Sequence, residues 1–110
     1  MKIRFTAILA PAFVAAAFTV VPAFAADSAA GKIVYDKCKT CHLADGSGNP
    51  GMAKAFGVTI KPLGGAEVQA MSDADLKKVI TAGSGKMKPV AGVAGADLDN
   101  VVAYIRTMKK

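Results

Sequence analysis

Apolar residues fall into two regimes along the chain. Phe5 to Val21 is an uncharged, mostly apolar run interrupted by Pro11. Beyond residue 25 the apolar positions recur at helical spacing. Ser28 predicts a cap, and Ala29 to about Lys39 reads as a helix. Ile33, Val34, Cys38 and Cys41 turn to one side, with Lys32, Asp36, Lys37 and Lys39 in solvent. Asp36 and Lys39 can pair at i, i+3. Residues 44–51 hold three glycines and a proline, so no regular element is expected there. Met52 to Phe56 predicts one short turn, with Phe56 directed to the core. Val58 to Gly65 reads as extended and irregular, and Ala66 to Met71 as another short turn. Ser72-Asp73-Ala74-Asp75 is a capping-box start for a helix that carries Leu76, Val79 and Ile80 inward and stops at Gly83. The last helix, about Ala96 to Met108, has the stripe Leu98, Val101, Val102, Ile105. Asp97 and Asp99 at its start, and Arg106, Lys109 and Lys110 at its end, complement the helix dipole. No segment alternates with period two long enough for a strand. The expected fold is all-α, with three main helices and long loops.

Residues 1–25 read as a secretory signal. Lys2 and Arg4 precede the apolar run, and Ala23-Phe24-Ala25 is a small-x-small site that predicts cleavage after Ala25. A retained anchor is the competing reading, but the run is short for a membrane span. No cysteine follows it for lipid attachment, and no twin-arginine pair is present. These features predict an exported domain, residues 26–110, with no stable membrane insertion after cleavage.

Cleavage changes the charge. The full chain carries 14 Lys+Arg against 8 Asp+Glu; without Lys2 and Arg4 the balance is 12 against 8, or +4. Aromatics are 6% and there is no Trp, so neither charge nor stacking groups suggest a nucleic-acid surface. A domain this small is marginal without a cross-link or cofactor to complete its core.

The chemistry is concentrated in Cys38-Lys39-Thr40-Cys41-His42, which holds the only two cysteines and the only histidine. C-x-x-C-H reads as a c-type haem attachment site. On a helix, positions 38, 41 and 42 share one face. Two thiols there can form thioethers with the haem vinyl groups, and His42 then lies under the iron as proximal ligand. A thiol redox pair would call for a βαβ setting, zinc would call for about four ligands, and a disulfide leaves His42 unexplained. Pro50, eight residues past His42, offers a carbonyl in a stiff loop as acceptor for the imidazole N–H; the competing reading is a turn former.

There is no second histidine for the other axial position, and methionine sulfur is the remaining soft ligand. Met108 lies near the C-terminus, and Met71 precedes a helix cap where it can act as a hydrophobic staple. Met52 is ten residues past His42 and adjoins Pro50. Met87 is 45 residues past His42, on a separate loop between Gly85 and Pro89. It is the favoured ligand, with Met52 and an open site as alternatives. A neutral thioether favours ferrous iron, and a filled coordination sphere leaves one-electron exchange as the available chemistry.

These features together resemble the small class I cytochromes c of bacteria. The resemblance covers nearly all of the region after the leader. It rests on the helix into Cys38-Lys39-Thr40-Cys41-His42, the Gly/Pro loop, the capped middle helix, Gly85-Lys86-Met87-Lys88-Pro89 and a last helix with Val102-Ala103-Tyr104-Ile105-Arg106. It implies a fold wrapped around one covalently attached haem, His/Met ligation, and first and last helices that cross with a glycine against an aromatic. Tyr104 matches the aromatic. Gly31 lies seven residues before Cys38, one fewer than is usual in the family, and one residue rotates a helix by about 100°. Either Ala30 approaches closely over Val34, or a distortion before Cys38 restores Gly31 and Tyr35.

The resemblance further implies an electron-transfer protein, not an enzyme, that serves membrane oxidases, reductases or cytochrome complexes. Lys37, Lys39, Lys86 and Lys88 would form a cationic rim facing acidic partners. A haem-based gas-binding or sensor module with a labile sixth ligand is the alternative. A peroxidase would need a distal acid–base pair, for which no second histidine exists.

Overall fold

The computed structural model describes residues 7, 8, 10–17 and 25–110. The expected signal segment, residues 1–25, lies largely outside the described residues. No helix among the described residues is long and apolar enough to cross a membrane.

The fold is helical, as expected. α1 (Ser28–Val34) runs into a 3₁₀ turn (Tyr35–Lys37) and then α2 (Lys39–His42). α3 (Pro50–Phe56), α4 (Ala66–Gln69), α5 (Asp73–Ala82) and α6 (Gly95–Arg106) follow. No strand forms among the described residues; Ser84 and Met87 make one isolated antiparallel bridge. The two longest helices, α5 and α6, and the α1–3₁₀ segment are the three main helical segments the spacing predicts.

α1 packs chiefly on α6. A Cβ on Gly31 would lie 1.9 Å from the Asn100 carbonyl oxygen and 3.0 Å from Tyr104 Cβ, so Gly31 makes the close approach. The Asn100 side chain also accepts the Asp27 N–H at 2.8 Å. Ala30 is therefore not the contact residue. The distortion before Cys38 is the 3₁₀ turn. Its 3.0 residues per turn add about 20° per residue over α-helical winding, or about 60° across the turn. That recovers most of the rotation lost to the missing residue. Tyr35 is fully buried as a result, edge-on to Tyr104 with ring centroids 5.2 Å apart.

Three expectations are corrected by the winding, the packing and the caps. Ile33 is 74% exposed, because the face toward α6 is Gly31 and Tyr35. Phe56 is 45% exposed and does not enter the protein core. The cap of α1 is Asp27, whose carboxylate accepts from the Ala29 and Ala30 N–H groups; Ser28 is the first helical residue.

Ser72 caps α5 as its motif predicts, with Oγ accepting the Asp75 N–H at 3.1 Å, and Gly83 (φ 78°) ends the helix. Leu76, Ile80, Val101, Val102 and Ile105 build the core between α5 and α6, with Tyr35, Val68 and Val93. Two polar side chains join the remote pieces. Gln69 Nε2 donates to the Leu63 and Ile105 carbonyls at 2.8 and 3.0 Å. Arg106 donates to the Gln69 and Met71 carbonyls at 2.9 and 2.6 Å and to Asp73 Oδ1 at 2.8 Å. Arg106 thus ties the α4–α5 junction to α6 by geometry that a dipole argument alone does not anticipate.

Candidate haem site

The chain reaches the Cys-x-x-Cys-His segment through the 3₁₀ turn. The Cys38 N–H donates to the Tyr35 carbonyl at 2.8 Å, and the His42 N–H to the Cys38 carbonyl at 2.9 Å. Cys38, Cys41 and His42 thus occupy one helical turn, all half-buried, and both thiols are free. Burial pushes the Cys38 thiol up, against a smaller lowering by the neighbouring Lys37 charge. Burial pushes the His42 imidazole down, which keeps it in the neutral form that binds metals.

A backbone latch closes this turn. The His42 carbonyl accepts the Gly48 N–H at 3.1 Å and the Cys41 carbonyl the Asn49 N–H at 2.8 Å. Asn49 Nδ2 donates to the Thr40 carbonyl at 3.0 Å, while its Oδ1 accepts from Gly51 and Met52 at the start of α3. Asn49 therefore serves the end of one helix and the start of the next. Its signal in the sequence is an asparagine directly before a proline at the first helical position.

His42 Nδ1 is buried and has no hydrogen-bond partner. The Pro50 carbonyl does not accept from it. Pro50 opens α3, and a carbonyl in the first turn of a helix points along the axis toward the residue four further on. With Nδ1 enclosed by protein, Nε2 is the ring nitrogen left to reach a ligand.

Met87 stands on the loop between α5 and α6. The Ser84 N–H donates to the Met87 carbonyl and the Met87 N–H to the Ser84 carbonyl, both at 2.9 Å. Gly85 at the tip has φ 56°, a conformation glycine adopts freely. A Cβ on Gly83 would lie 2.6 Å from the Met87 carbonyl oxygen. The Met87 backbone is thus pinned, and its side chain is half-buried. The other methionines differ. Met71 and Met108 pack against the protein core, whereas Met52 is half-buried on α3. No hydrogen bond links His42 and Met87, which stand on separate segments.

The four lysines divide into two pairs. Lys37 Nζ donates to the Ala91 carbonyl at 3.3 Å, and Lys39 pairs with Asp36 at 2.5 Å. The hydrogen bond to Asp36, with its charge, holds Lys39 above its ordinary range. Lys86 and Lys88 are exposed and make no ion pair among the described residues.

The residues present fit a covalently attached haem. They supply two free thiols and a neutral imidazole on one turn, and Phe56 and Val58 are apolar side chains that the protein itself leaves exposed. A helical domain with this turn between its terminal helices is a c-type cytochrome. The chain belongs to the family described as cytochrome c oxidase, cbb3-type, subunit III, whose model matches residues 25–105. It is 38% identical over 91 residues to cytochrome c-554(547) of Halothiobacillus neapolitanus, covering 77% of this chain and 100% of that protein. Among solved structures it is similar to the KustC0563 c-type cytochrome, with a TM-score of 0.60 and 28% identity over 73% of this chain and 98% of that one. The family carries haem c bound covalently, and its members are electron-transfer proteins.

Proposed function

We propose that this chain is an exported, periplasmic single-electron carrier, with haem held by Cys38 and Cys41 and its iron ligated by His42 and Met87. When bound, the haem supplies one-electron exchange between ferric and ferrous iron. The chain's residues set the terms of that exchange. His42 is half-buried and its imidazole is pushed down toward the neutral form, so it offers a lone pair without first losing a proton. Met87 offers a neutral sulfur that stabilises the lower charge of ferrous iron. The observation that carries the reading is the sorting of the methionines. Met71 and Met108 are committed to the core, which leaves Met52 and Met87; of these, Met87 stands on a loop far from His42 in sequence, with its backbone held by Ser84. The absorption spectrum of the exported, haem-loaded protein tests it. Wild-type ferric protein should show the weak far-red band of sulfur-to-iron charge transfer, and Met87→Ala should lose it and bind carbon monoxide when reduced. A wild type without the band that binds carbon monoxide at neutral pH would instead make this a gas-binding module.

The redox partners are proposed to be membrane oxidases, reductases or cytochrome complexes with acidic docking surfaces. Of the cationic rim, Lys86 and Lys88 bear charges free to meet such a surface, while Lys37 and Lys39 are already engaged on Ala91 and Asp36. The double variant Lys86→Glu/Lys88→Glu should therefore slow electron transfer with an acidic partner by roughly tenfold or more at low salt, and the gap should narrow as salt screens the encounter. Rates that do not fall with salt, in wild type or variant, rule out charge steering.

A further inference from the structure

Leu43, the residue directly after His42, has φ 61° and ψ 165°. This region is essentially restricted to glycine, and other residues hold it only where their surroundings over-determine the backbone. Leu43 is the only described non-glycine residue with positive φ. Its carbonyl accepts two hydrogen bonds, from the Gly46 N–H at 3.1 Å and from the Tyr35 hydroxyl at 2.6 Å. The Tyr35 ring is fully buried at the α1–α6 crossing, edge-on to Tyr104, so this donor is anchored in a packed contact. Phenylalanine would keep the ring and remove only the hydroxyl that bonds Leu43. Burial pushes the Tyr35 phenol well up, which keeps its proton in place as a donor at neutral pH.

We propose that Tyr35 is a positioning residue for the proximal ligand: its hydroxyl locks Leu43 in a strained conformation and thereby sets the orientation of His42. The inference rests on the reading of His42 as iron ligand. The strained residue reverses the chain, which brings the Gly48 and Asn49 N–H groups back to the His42 and Cys41 carbonyls. Without the hydroxyl, Leu43 relaxes toward negative φ and the turn carrying His42 shifts with it.

The test uses haem-loaded Tyr35→Phe, Leu43→Gly and the double variant. It reads the midpoint potential and the paramagnetically shifted NMR resonances of the His42 ring in the ferric protein. Tyr35→Phe should shift both. In the Leu43→Gly background the same substitution should produce less than half the shift, because glycine holds the conformation without a lock. A Tyr35→Phe protein that melts lower but keeps the wild-type potential and ring resonances would make Tyr35 a packing residue only. Equal shifts in both backgrounds would show that the hydroxyl does not act through Leu43. If Tyr35→Phe fails to accumulate, Leu43→Gly and Leu43→Ala carry the test. The glycine form should melt higher, and equal melting temperatures overturn the strain on which the lock depends. Absence of shifted His42 ring resonances in wild type would overturn His42 ligation itself, whereas shifted resonances that Tyr35→Phe leaves unchanged overturn only the positioning role, so the two failures are distinguishable.

Discussion

Gly31→Ala should destabilise the haem-loaded protein by about 3 kcal/mol or more, at the upper end for an overpacked contact. The added Cβ would sit 1.9 Å from a backbone carbonyl oxygen, that of Asn100. A flexible side chain could swing away from such a clash; helix backbone cannot. α1 and α6 must separate, and Tyr35, buried at their crossing, loses its enclosure. Denaturant unfolding of the purified holoprotein checks this, with Ala30→Ser as the control. The control should cost well under 1 kcal/mol, as for a substitution away from the close contact. If the two variants unfold at the same denaturant concentration, the helix crossing is not where the structure places it.

The second large effect is expected from Cys38→Ser/Cys41→Ser. Haem should no longer remain with the chain after acidic organic extraction, because both thioether carbons lose their sulfur. The chain should also lose its cooperative thermal transition by circular dichroism. Among the described residues only eight hydrophobic side chains are buried, and Phe56 and Val58 stay exposed. A core of that size is marginal for a small domain unless a cofactor or cross-link completes it. A variant that melts as sharply as wild type would mean that the protein core suffices by itself.

The local elements were legible because their signals are local. Ser72 and Asp75 are three residues apart, Gly83 closes the same helix, and the stripe from Leu98 to Ile105 lies on one face of one element. The first helix was harder. Periodicity through Ile33 and Val34 assumed uniform α-helical winding, and the 3₁₀ turn at Tyr35–Lys37 changes the phase. Ile33 therefore faces solvent. Phe56 reads as core because it is large and apolar, but only the packing shows that it stays half-exposed. The Pro50 carbonyl reads as an acceptor from its distance along the chain, whereas its direction follows from the helix it opens.

The helical class, the five contiguous residues that define the haem turn, and the candidate methionine on its glycine- and proline-bounded loop are all legible without coordinates. Each is a matter of spacing within a short segment, where backbone geometry leaves few alternatives. Only the tertiary structure decided that Gly31 rather than Ala30 meets α6, that Arg106 joins α6 to the α4–α5 junction, that Lys37 and Lys39 are engaged while Lys86 and Lys88 are open, and that the Tyr35 hydroxyl reaches the strained residue beyond His42. These depend on how two remote segments are rotated against each other. A 60° change in winding over three residues is enough to exchange one facing side chain for the next.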